Sequence, residues 1–160
     1  MNLFDKIENF KNLLKQKKFD ELINQIDEIE EKNSFIINIY AAAKLLRNNI
    51  EKKDKLSALQ NFEKAYLMDK SSEHGLNSLG NYINLATEFG EFKKIFDYYN
   101  EATNFFGENI ILLEAIQRAY RFLHRPEDRN KILKKLIDKK TNSIIIWSSY
   151  LYTNNFISNF

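Results

Sequence analysis

Apolar residues recur at steps of three and four along most of the chain, the spacing of one stripe on a helix. The pattern is clearest in four segments. It begins as Phe19, Leu22, Ile23, Ile26 and Ile29 and returns as Ala58, Leu59, Phe62, Ala65 and Tyr66. It recurs as Phe92, Ile95, Phe96, Tyr99 and Ala102, and last as Ile132, Leu133, Leu136 and Ile137 behind Pro126. With Ile26, Phe62, Tyr99 and Leu133 taken as equivalent, the steps are 36, 37 and 34 residues. A period of that length predicts stacked helical hairpins. Each segment follows another helical pattern, over 3–17, 35–48, 73–89 and 108–123, and a fifth such pattern at 143–153 has no partner after it.

The joints carry the residues that start and stop helices. Between units lie Asn33-Ser34, Ser71-Ser72, Gly107-Glu108-Asn109 and Thr141-Asn142-Ser143, all with N-cap chemistry. Within units, Gly90 suits a left-handed C-terminal position, and Pro126 suits the first turn of a new helix with Glu127 and Asp128 behind it. Residues 48–54 predict a lengthened loop. No low-complexity linker divides the chain, so the expectation is one domain with units at about 3–33, 34–71, 72–107 and 108–142 and a half unit at 143–160.

The stretches GEFKKIFDYYNEATNFFGEN (90–109) and SALQNFEKAYLMDKSS (57–72) resemble the second half of tetratricopeptide repeats. In that family a Gly-x-Tyr/Phe joint is followed by a small residue, an aromatic four later and an alanine three after that. Gly90, Phe92, Tyr99 and Ala102 match, as do Ala58, Phe62 and Ala65, while Gly80 and Tyr120 suit the small and aromatic core positions of the first helices. Arg129 and Ile95 stand where the family has alanine, and the terminal proline is missing from every unit. The resemblance implies an all-α, right-handed superhelical array of antiparallel helix hairpins, about four and a half repeats long. It also implies that the first helix of each pair lines a concave groove. Asn38, Asn77, Asn81, Asn84, Arg118, Arg121, Ser148 and Tyr152 would then face a bound peptide.

Composition changes this picture little. Four glycines and one proline are too few turn formers for a many-stranded sheet, and 44% apolar residues with 14% aromatics supply a core. The 24 basic residues are nearly balanced by 22 acidic ones, so the whole chain carries no nucleic-acid or membrane signal. There is no cysteine, hence no disulfide or thiolate metal site. The first residues lack a signal-peptide pattern, and no apolar stretch is long enough to span a bilayer. The expected location is cytoplasmic.

Catalytic or metal chemistry finds little support. His74 and His124 are fifty residues apart and read as exposed or capping side chains. Ser71, Ser72 and His74 resemble a nucleophile and base only superficially, since an N-cap explains the serines. Gly75, Gly80, Gly90 and Gly107 form no phosphate-cradling loop, and Asp27, Glu28, Glu30 and Glu31 read as a solvated face. No cofactor is expected.

Two features rise above that background. Asn77, Asn81 and Asn84 share one helix side, and their amides offer the donors and acceptors that grip a peptide backbone. Such a ladder resembles the repeat arrays of O-linked sugar transferases. Lysine, asparagine and isoleucine make 58 of the 160 residues, however, so asparagine falls on exposed faces by composition alone. The second feature is charge. Positions 118 to 140 hold nine basic residues against Glu127, Asp128 and Asp138, and Arg118, Arg121 and Arg125 share a helix side suited to forked bonds with carboxylates or phosphates. An acidic peptide or C-terminal carboxylate is the favoured partner there, nucleic acid ranks below it, and a merely solvated face stands against both.

The expected function is therefore a non-catalytic module binding an extended peptide. The alternative is the repeat region of a larger transferase with its catalytic domain beyond residue 160, because WSSYLYTNNFISNF (147–160) is loosely similar to a segment of SPINDLY-like sugar transferases. Trp147, Tyr150, Leu151, Phe156 and Phe160 have no second helix to cover them, which predicts self-association through that end.

Overall fold

A computed structural model describes residues 3–47, 50–139 and 143–158. Among the described residues there are nine α-helices and no strand. They are α1 (Leu3–Lys15), α2 (Phe19–Asp27), α3 (Ser34–Leu46), α4 (Lys52–Met68), α5 (Glu73–Phe89), α6 (Phe92–Phe106), α7 (Ile110–Phe122), α8 (Pro126–Lys139) and α9 (Ile144–Ser158). The chain forms two compact units, Met1–Ser78 and Leu79–Phe160, whose boundary falls inside α5; α1 to α4 pack consecutively in the first and α6 to α9 in the second.

In the first unit the stripe of α2 closes against α1 and α3. Phe10, Leu13, Leu22, Ile23, Ile26, Ile36, Ile39 and Ala43 form one buried cluster. Packed on both α2 and α4, α3 buries Ile36, Ile37, Ile39, Ala41 and Ala43, which spread over more than half of its circumference. Its start is fixed by Asn33, whose side chain accepts the Ile36 N–H at 2.9 Å. At its other end Arg47 Nη2 donates to Asp54 Oδ1 at 2.8 Å, while Asp54 Oδ2 accepts the Glu51 N–H at 3.1 Å, so one carboxylate ties α3 to the first turn of α4. On α4 the buried residues are Ala58, Leu59, Phe62, Ala65 and Tyr66, the stripe expected from the spacing.

In the second unit α7 is buried through Leu112, Leu113, Ala115, Ile116 and Ala119, and α8 through Ile132, Leu133, Leu136 and Ile137. The backbone of α5 approaches α7 so closely at Gly80 that a Cβ there would lie 2.6 Å from Ile111 Cγ2. Gly90 takes φ of 75° between α5 and α6, the left-handed turn that glycine makes without strain. Pro126 opens α8, and Asn109 caps α7 by accepting the Ile111 N–H at 2.8 Å. Tyr82 is fully buried, with its hydroxyl donating to Glu91 Oε2 at 2.8 Å and its ring edge-on to Tyr98.

Three expectations need adjusting. On α6 the fully buried residues are Ile95 and Ala102, whereas Phe92, Phe96 and Tyr99 are half-buried. Branched and small side chains fill the narrow line between helices, and the rings lie at its margin, where Phe96 packs on Tyr120 at 5.2 Å between centroids. Helix α1 stops at Lys15 because Lys17 turns to φ of 58°, and α9 continues to Ser158, beyond the expected 153. Asn48, Lys140, Thr141, Asn142, Phe160 and the Phe156 side chain lie outside the described residues. No helix among the described residues is long and apolar enough to cross a membrane.

Candidate functional site

The second unit carries a cleft of about 390 Å³ at the meeting of α7, α8 and α9, lined by Tyr120, Arg121, His124, Arg125, Pro126, Arg129, Tyr152 and Thr153. Local sequence builds it. The last turn of α7 supplies Tyr120 and Arg121, and the chain then reverses through His124, at φ of 51°, into Pro126. Arg129 lies one turn into α8 and lines the same cleft.

Arg129 is the centre of the arrangement. Its Nε donates to Gln117 Oε1 on α7 at 3.1 Å, and its Nη1 donates to Thr153 Oγ1 on α9 at 3.0 Å. Thr153 is buried and gives its own proton to the Ser149 carbonyl at 2.8 Å. Three helices thus hold one half-buried guanidinium. Both partners are neutral, and Nη2 meets no acceptor among the described residues. Burial, then the charge of Arg121, pulls the Arg129 guanidinium below its usual range, yet arginine remains protonated at neutral pH.

Arg121 is exposed and has no carboxylate within ion-pair distance among the described residues. Arg125 differs, because its Nη2 lies 2.6 Å from Asp128 Oδ2 and its guanidinium sits 5.3 Å over the Tyr120 ring. The cleft therefore holds two guanidinium groups, those of Arg121 and Arg129, without a carboxylate partner among the described residues, and Tyr120 and Tyr152 also line it. Such a set of groups suits an anion: forked N–H groups can donate to a planar or tetrahedral oxyanion, with tyrosine and proline faces beside it for an apolar body.

No family model, curated protein or solved structure matches this chain. The site must be read from its own geometry.

Of the residues expected in a groove, the structure brings Arg121 and Tyr152 to this cleft. Arg118 and Ser148 are exposed on α7 and α9 but do not line it. Asn77, Asn81 and Asn84 are carried by α5 and half-buried. Asn77 Nδ2 donates to the Glu73 carbonyl of its own helix at 2.9 Å, a local bond that competes with any ligand. Asn81 and Asn38, the latter half-buried on α3, each have interactions of their own. Asn84 Oδ1 is buried without a hydrogen-bond partner among the described residues.

Sequence reasoning missed Arg129 and Thr153 as site residues. A signal for Arg129 was present, since a charged residue occupied a position where the resemblance implied alanine. Nothing linear marked Thr153. Metal chemistry finds no grouping of three His, Asp or Glu side chains among the described residues. His74 is exposed with its ring against Phe35, 4.9 Å between centroids.

Proposed function

We propose that this chain is a non-catalytic, helical-repeat binding module of the tetratricopeptide type, and that it holds an extended acidic segment of a protein partner. In this reading the hairpins continue as a right-handed superhelix, first helices face the ligand, and the Arg121–Arg129 cleft receives an anionic side chain or a terminal carboxylate. The nine-helix order and the 36, 37 and 34 spacing support the architecture. One observation carries the function: Arg121 and Arg129 line a single cleft without a carboxylate partner among the described residues. Holding two like charges together is unfavourable, and an anion brought by a partner removes that cost.

The test uses fluorescence anisotropy of labelled hexaglutamate and hexaglutamine peptides with the whole chain. Hexaglutamate should bind, more weakly as salt rises, and Arg121→Glu should abolish the signal. Equal binding of the two peptides would remove the proposal.

A further inference from the structure

The charge count at the cleft says more about the anion than its sign. One carboxylate neutralises one guanidinium, and Arg121 and Arg129 together present two. Arg125 is already bonded to Asp128, a carboxylate it shares with Lys131. A phosphomonoester carries about −1.5 to −2 at neutral pH on three acceptor oxygens, so a single compact group satisfies both arginines. Geometry favours the same ligand. Arg129 is oriented in advance by Gln117 and Thr153, which hold its Nε and Nη1, leave Nη2 for a ligand and lower the ordering cost of binding. Arg121, exposed and lining the same cleft, supplies the second guanidinium for a tetrahedral group held by Arg129. Tyr120, Pro126 and Tyr152 supply faces for the carbon body attached to the phosphate.

We infer that the cleft between α7, α8 and α9 is a phosphomonoester site, in which Arg121 and Arg129 grip the dianion of a phosphorylated side chain of the partner segment. This rests on the peptide-binding reading for the source of the phosphate, though not for the site itself. A free phosphorylated small molecule has the same headgroup chemistry, and the experiment separates the two.

The experiment is isothermal titration of the full 160-residue chain with phenyl phosphate and phenyl sulfate, which share a tetrahedral shape but differ by about one charge at neutral pH. Phenyl phosphate should bind roughly tenfold tighter or more, the size expected for one additional charge-assisted contact. Arg121→Gln should erase that preference, and Arg118→Gln, on the same helix outside the cleft, should keep it. Equal affinity of the two ligands, binding of neither, or an equal effect of the two substitutions overturns the site. A second pair of titrants, an acidic heptapeptide with a central phosphotyrosine and its unphosphorylated parent, identifies the source. Tighter binding of the phosphopeptide than of both its parent and phenyl phosphate supports a phosphorylated partner segment. If the phosphopeptide binds no better than phenyl phosphate and its parent is silent, the site stands for a small phosphomonoester and the peptide-binding reading falls. If both peptides bind equally, the peptide-binding reading stands and the phosphate inference falls.

Discussion

Each unit of this molecule has a cleft of similar size lined by a tyrosine and by charged side chains, and the two differ in what those charges meet. In the first unit a cleft of about 320 Å³ is lined by Asp27, Glu30, Lys32, Ile37, Tyr40, Asn61 and Lys64. Two acids and two lysines line it, so its formal charges balance; Tyr40 donates to Asp27 Oδ1 at 2.7 Å, and Lys32 Nζ donates to the Ile29 carbonyl. In the second unit the cleft of about 390 Å³ holds Arg121 and Arg129 with neutral partners or none among the described residues. Size therefore does not distinguish a binding surface from an ordinary groove. A shortfall of acceptors does, because such a surface is completed only by something from outside.

The largest expected effect is a charge reversal in each cleft. Arg121→Glu should weaken hexaglutamate binding more than about thirtyfold, whereas Lys64→Glu should change it by less than about twofold, both read by anisotropy at low salt. Similar losses from the two would mean that general charge, not this cleft, attracts the peptide.

Arg129→Met should separate function from stability. It should reduce binding roughly tenfold, as loss of a charged donor does. Thermal or urea unfolding should change by no more than about 1 kcal/mol, because a half-buried cation without a counter-ion contributes little to folding and its replacement by an apolar chain of similar length is tolerated. A loss of several kcal/mol would recast Arg129 as a structural strut between α7, α8 and α9. Tyr40→Phe is the matching change in the first unit. It should cost about 0.5 kcal/mol of stability in the same unfolding assay and leave binding unchanged, since an exposed hydroxyl can return to water.

The smallest effect concerns pH. A hydrogen bond from Lys135, 2.6 Å from Glu108, holds the Glu108 carboxyl below its ordinary value of 4.5 and raises the Lys135 ammonium above its ordinary 10.5. A lowered carboxyl pKa stabilises the fold above the unfolded value, and that contribution disappears as pH falls through the folded one. The lysine behaves oppositely, with its contribution lost as pH rises through its folded value. Glu108→Gln should therefore flatten the fall in melting temperature below pH 4.5 and leave the unit-one cleft and peptide binding untouched. An unchanged acid limb would show that this exposed pair is energetically silent.

Helix positions were legible because their signals are local. Asn33, Asn109, Gly90 and Pro126 each act on the backbone within a few residues, and the three-and-four spacing needs only the helix itself. Which member of a stripe sits deepest was less legible. Periodicity marks a side of α6 but not the line along which neighbours press closest, so within one stripe Ile95 is fully buried while Phe96 and Tyr99 are half-buried. The cleft was legible only in part. Arg121 and Arg125 stand out as basic residues on α7 and its C-terminal turn, and Tyr152 follows from the repeat register. The bond from Arg129 to Thr153 joins residues 24 apart on different helices, and it depends on how α9 is set against α8. For the asparagine series, spacing shows that Asn77, Asn81 and Asn84 share a helix but not what each amide meets: Asn77 donates to the Glu73 carbonyl of its own helix, as short amides commonly do.

The outer side of α9 remains a contrast of its own. Ile144 and Ile145 are 78% and 76% exposed and Leu151 is 55% exposed, on a helix with no charged residue. The expected consequence is concentration-dependent self-association in sedimentation, removed by Ile144→Lys with Leu151→Lys. A chain that stays monomeric at all concentrations would contradict it.

The most direct measurement of the central claim is a side-chain NMR titration of the five arginines with the acidic peptide, following each Nε–Hε signal. The Arg121 and Arg129 signals should move together and saturate with one binding constant, while those of Arg47 and Arg118 stay in place. Movement of Arg118 or Arg47 with Arg129 unchanged would show that the peptide binds elsewhere, and the account of this cleft would be wrong.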